Sequence, residues 1–87
     1  GGQARPARGT EFSGVVSSVA GQTLTLASGL RVAVNGQTQW NARGDLKSLD
    51  QVVAALAAGK RTRVEGRGAR QADGSLLAQT IKAETGR

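Results

Sequence analysis

From Thr10 onward apolar and polar positions alternate. Phe12, Gly14 and Val16 fall on one face, and Val19 rejoins that set only if one extra residue is accommodated near Ser17 or Ser18. Period-two alternation predicts a half-buried strand, and the slipped parity predicts a bulge that bends it. Gly21-Gln22 reads as a turn into a strand Thr23–Leu26, and Ser28-Gly29 as a turn into a strand Leu30–Val34, closed by Asn35-Gly36. The period then changes. Ser48 is a good N-cap, Gln51 stands where a capping box needs it, and Leu49, Val52, Val53 and Leu56 recur at helical spacing before Gly59. A short helix is therefore expected over 49–58, with that quartet on its buried face. Alternation resumes over 60–69, Ala72-Asp73-Gly74 makes a hairpin turn, and a last strand runs over 76–83. There Leu76, Ala78 and Ile81 share a face only with a bulge near Gln79 or Thr80.

The expected fold is mainly β: a small five-stranded OB-like barrel spanning 10–87, with one short α-helix between strands 3 and 4. That element order, with a bent first strand, is the one an OB-fold uses. A flat sheet covered by one helix is the competing arrangement, and closure is favoured because it removes exposed strand edges from a thin core. The core is thin because 14 of the 87 residues are alanines and only 19 larger apolar side chains remain. Ahead of the domain, Gly1, Gly2, Gln3, Ala4, Arg5, Pro6, Ala7, Arg8 and Gly9 offer no large hydrophobe, and Pro6 opposes helix and central strand alike. They are expected to form an extended arm. The chain has no methionine and begins Gly1-Gly2, which reads as a processed product or a fragment, with any export signal already removed. No apolar run approaches the ~18 residues of a membrane span, so no transmembrane segment is expected.

Composition removes most catalytic chemistry. Histidine, cysteine and tyrosine are absent, and with them imidazole bases, thiolate nucleophiles, disulfides and the usual zinc or copper ligands. The six carboxylates have structural explanations: Asp50 lies in the first turn of the helix, Asp73 in a hairpin, and Glu65 alternates with arginines. Gly66 and Gly68 do not open a helix and so form no phosphate cradle. The reading is that the protein is not an enzyme, with no cofactor, no metal site and no catalytic residue.

The net charge is +6, and much of it falls in one stretch. Lys60, Arg61, Arg63, Arg67 and Arg70 stand close together against Glu65, and Arg61, Arg63, Glu65 and Arg67 share one strand face. Such a ladder is suited to phosphate or uronate by charge-assisted, bidentate contacts; it also suits a solvated face that discourages edge pairing. Nucleic acid is disfavoured as a partner, because single-strand binding needs aromatic platforms and the only aromatics are Phe12, expected in the core, and Trp40. Trp40 is a candidate interface anchor or a cover for one end of the barrel. Arg43-Gly44-Asp45 spells the adhesion tripeptide, and it also makes an ordinary turn before the helix cap.

The run Phe12-Ser13-Gly14-Val15-Val16, then Leu24-Thr25-Leu26, Val32-Ala33-Val34 and Thr38, then Val64-Glu65-Gly66, and finally Ala72-Asp73-Gly74-Ser75-Leu76-Leu77-Ala78 with Ile81 resembles a widespread bacterial family of unknown function. The resemblance implies a small OB-like β-domain, exported or carried on a lipoprotein, and no catalytic residue comes with it. The chain departs from the family in its well-developed helix and in having Lys60 after Gly59, where an acidic residue is usual. An extracytoplasmic protein of the bacterial envelope or surface is thus expected. Its main partner is expected to be further copies of itself, joined through the arm and strand edges into a fibre or scaffold. The alternative is an anion-binding module for acidic polysaccharide, lipopolysaccharide or nucleic acid, using Lys60, Arg61, Arg63, Arg67 and Arg70.

Overall fold

Alternation builds a long first strand, β1 (Thr10–Ala20), with Phe12 and Val16 buried and Glu11, Ser13 and Ser17 exposed. The structure is a computed structural model and describes residues 9–86; residues 1–8, which hold nearly all of the expected arm, lie outside them. β1 pairs antiparallel with β2 (Thr23–Leu26), and the register slips between Val16 and Ser18. Ser17 is the extra residue, as the parity of Val16 and Val19 requires, and its hydroxyl donates to the Thr25 carbonyl at 3.0 Å. The bulge lets β1 change partners. Its first half, Thr10–Val15, pairs with β5 (Arg61–Arg70), and its second half with β2.

β2 pairs with β3 (Arg31–Ala33), which is shorter than the expected 30–34. β5 pairs along its length with β6 (Leu76–Gly86), and the register slips opposite Arg67 and Gly68, leaving Gln79 as the extra residue of β6. β3 then pairs in parallel with Leu76 and Leu77 of β6, so the run β3-β2-β1-β5-β6 returns on itself.

Among the described residues there are six strands where five were expected. Past the Asn35–Thr38 turn, β4 (Gln39–Trp40) pairs in parallel with Thr80 and Ile81 of β6. The Asn35-Gly36 signal marks a kink, after which the chain rejoins the same edge of β6. Thr38 makes this possible: its hydroxyl donates to the Ala78 carbonyl at 2.8 Å while accepting the Asn35 N–H at 3.0 Å. Leu46 continues along that edge by bridging Ala83. The helix consequently follows β4 and precedes β5.

That helix, α1, spans Leu49–Ala57. Ser48 caps it, accepting the Gln51 N–H at 3.2 Å. The Gln51 side chain reaches back one residue further than in a standard capping box, accepting from the Lys47 N–H at 2.7 Å. Its buried face is Val52 and Ala55, flanked by Leu49 and Leu56. Val53, expected inside, is 44% exposed. The Val52–Ala55 side packs toward β5, and the helix closes with the Lys60 N–H donating to the Ala55 carbonyl at 2.9 Å and the Gly59 N–H to the Leu56 carbonyl at 2.9 Å. The inward side chains of β1, β2, β3, β5 and β6 join Val52 in one core.

Candidate functional site

The basic stretch forms the outer face of β5 as the alternation requires: Arg61, Arg63, Glu65 and Arg67 are exposed, and Thr62 and Val64 between them are buried. Lys60 precedes the strand and Arg70 ends it, both exposed. Pairing decides what surrounds this face. Glu11 of β1 stands opposite Arg67, and its carboxylate accepts from the Arg67 guanidinium at 2.9 Å. On the other side Glu65 stands opposite Lys82 and Arg63 opposite Glu84. Lys82 lies 3.8 Å from Glu65 and 4.0 Å from Glu84. The face is therefore a checkerboard of both signs. Each exposed pair contributes little stability, about 0–1 kcal/mol, and the three carboxylates stand among a larger number of cations, so the face keeps a positive surplus. Among the described residues Lys60, Arg61, Arg63 and Arg70 make no salt bridge within 4.0 Å.

Glu11 and Glu84 are what the linear charge count misses. Their only sequence signal is parity, and it becomes legible once the strand registers are known. An open groove of about 630 Å³ runs over this face, with Glu11, Arg67, Glu65, Lys82 and Thr80 along it and Gly66 at its floor. No aromatic ring lines it except Phe12, which is 5% exposed and packed in the core. Trp40 sits in β4, half-buried against the core and paired with Ile81.

The tripeptide Arg43-Gly44-Asp45 is tied to the end of β6. Gly44 is buried, and a Cβ there would run into the Ala83 carbonyl. Both carboxylate oxygens of Asp45 are occupied by Thr85: Oδ2 accepts from the hydroxyl at 2.7 Å and Oδ1 from the N–H at 2.9 Å. The hydroxyl bond, followed by the backbone bond, holds the Asp45 carboxyl below its ordinary 3.8. A carboxylate lowered on folding stabilises above its unfolded pKa and loses that contribution as pH falls through the folded one. Replacing Asp45 by Asn should therefore lower Tm most near neutral pH, and the gap from the parent should narrow as pH is taken below 3.8. A gap that does not vary with pH would overturn this account of the tie.

Asp73 is also structural, accepting from the Ser75 hydroxyl at 2.6 Å and from the Ser75 N–H at 2.9 Å. Among the described residues no group of three or more His, Cys, Asp or Glu is placed to hold a metal ion, and no helix is long and apolar enough to cross a membrane. A second, smaller cleft of about 460 Å³ lies between the Asn35–Thr38 turn and the bulge of β6.

No curated protein and no solved structure matches the chain significantly. Residues 13–82 match the family model described as "Domain of unknown function (DUF5666)". That span runs from the first half of β1 into β6 and takes in both bulges, the helix and all of β5, so the chain belongs to the DUF5666 domain family.

Proposed function

We propose that this domain is a non-enzymatic OB-like barrel that works by interaction at the bacterial envelope or cell surface, assembling with copies of itself through residues 1–9 and an open strand edge. The OB-like reading is supported by a bulged first strand shared between two partners, by the parallel β3–β6 pairing, and by a helix placed before the last hairpin. The bacterial and extracytoplasmic parts rest on the resemblance noted above. The non-enzymatic part is supported by how the polar groups are used, since Asp45, Asp73, Glu11 and Glu65 all serve turns, ties or surface pairs.

The observation that carries self-assembly is the edge of β1. Residues Thr10–Gly14 pair with β5 alone, because β2 ends at Leu26 opposite Val16. Among the described residues their second edge has no strand partner, and it begins where residues 1–9 end. An unpaired edge is a template for an added strand, and a head-to-tail contact that does not close on itself propagates a filament.

Deleting residues 1–9 should reduce the assembled mass in light scattering to that of the monomer and remove filaments from electron micrographs. Assemblies that persist after the deletion would sink the proposal. The alternative, capture of an anionic polymer by Lys60, Arg61, Arg63, Arg67 and Arg70, is less well supported, because Glu11, Glu65 and Glu84 share the same face.

A further inference from the structure

The smaller cleft gathers four primary amides. Asn35 and Gln37 come from the turn after β3, Gln39 from β4, and Gln79 from the bulge of β6; a bulge re-aims the side chain of its extra residue. All four residues are exposed. Among the described residues the side-chain amides of Gln37, Gln39 and Gln79 make no hydrogen bond, and Asn35 uses only its Oδ1, which accepts the Gln37 N–H at 2.8 Å and the Thr38 hydroxyl at 3.4 Å. The turn that carries two of these amides is anchored, because the Thr38 hydroxyl also reaches the Ala78 carbonyl at 2.8 Å.

The surroundings narrow what such a cleft can recognise. Among the described residues no charged side chain lines it, so an ion finds no counter-charge. No aromatic ring lines it either, and a nucleobase finds no platform. An extended peptide would need an open strand edge, and along this stretch the edge of β6 is taken: Leu76 and Leu77 pair with β3, Thr38 occupies Ala78, and Thr80 and Ile81 pair with β4. What remains is a set of neutral side chains. A primary amide donates and accepts through one planar group, which matches a pair of neighbouring hydroxyls, and Ala69 and Leu77 give apolar contact to the C–H face of a sugar ring. The volume of about 460 Å³ falls in the range of small-ligand sites.

We infer that this cleft binds an uncharged oligosaccharide through the side chains of Asn35, Gln37, Gln39 and Gln79. It shares no lining residue with the β1 edge Thr10–Gly14 and uses none of the cations of β5, so the inference stands apart from self-assembly and from capture of an anionic polymer.

Cellotetraose, maltotetraose and the tetramer of N-acetylglucosamine are the probes, added to the full chain and followed by the side-chain NH2 resonances of the four amides. At least one probe should shift these resonances saturably and leave those of Gln22 and of the Thr62–Val64 backbone in place. Gln37→Ala and Gln39→Ala, which remove exposed side chains, should each weaken that binding roughly 5-fold without lowering Tm, and Gln22→Ala should leave it unchanged. The inference is overturned if none of the three probes moves the cleft resonances, if both cleft variants bind as the parent does, or if trigalacturonate shifts these amides and the neutral sugars do not.

Discussion

Gly66→Ala should destabilise the domain by about 3 kcal/mol or prevent folding, although it adds one methyl group to an otherwise unchanged surface. Gly66 lies in β5 between Phe12 of β1 and Ile81 of β6. A Cβ at this position would collide with the Thr80 carbonyl, and the Ile81 Cα would be only 3.0 Å away. Both obstacles are backbone, so no rotamer change relieves the contact; β5 and β6 must separate where they are pinned by neighbours on both sides. Gly68 repeats the arrangement, with the Leu77 carbonyl oxygen 2.7 Å from its would-be Cβ. The two glycines flank the residue where the β5–β6 register slips, and glycine in a strand marks such a bend or close approach.

For a chain of this size total stability is about 4–13 kcal/mol, so the expected loss is a large share of it. Thermal melting should show a fall on the order of 15 °C. Gly36→Ala is the control: a Cβ there meets nothing within 4 Å, and the change should stay within about 0.5 kcal/mol. If the two variants melt alike, the close approach at Gly66 is not what the packing requires.

Ile81→Ala should cost about 2–5 kcal/mol, and Ile81→Val about 0.5–1.5 kcal/mol. Ile81 is 1% exposed and sits where β6 is flanked by β5 and by β4. The cavity left by alanine cannot collapse freely, because the Asn41 N–H is bonded to the Ile81 carbonyl at 2.8 Å and Trp40 pairs with Ile81 across the β4–β6 contact. Urea titration should show the graded order parent, Val, Ala at constant m-value. Equal midpoints for the parent and the alanine variant would mean that this part of the core does not hold the strands together.

Where an element is dictated by its own residues, the sequence was readable. The parity of Phe12, Val16 and Val19 demanded one extra residue, and Ser17 is that residue. The spacing of Leu76, Ala78 and Ile81 did the same for Gln79. The Ser48 cap and the turns at Gly21 and Asp73 are likewise local events, decided by which side chain can reach which nearby N–H. The placements that failed to read depend on partners distant in sequence. β4 is two residues long and exists only because the edge of β6 is there to receive it. Val53 and Ala55 compete for one helix face, and packing of α1 on the sheet buries Ala55 with Val52 and leaves Val53 outside.

The sharpest divide concerns charge. By itself the sequence determined that the chain is mainly β with one helix, that its first and last strands are bulged, and that it is basic with no histidine or cysteine, because periodicity and composition are properties of neighbouring residues. It also placed four side chains of the basic stretch on one face, since alternation along a strand is local. Only the tertiary structure decided that Glu11, Lys82 and Glu84 stand on this face beside the arginines. The partner of Arg67 is Glu11, 56 positions away in the chain, and a charge count along the sequence cannot register a neighbour supplied by strand pairing. The same holds for Asp45, whose carboxylate is closed off by Thr85 across 40 positions. Electrostatics acts through space, and antiparallel strands bring together what the chain keeps apart.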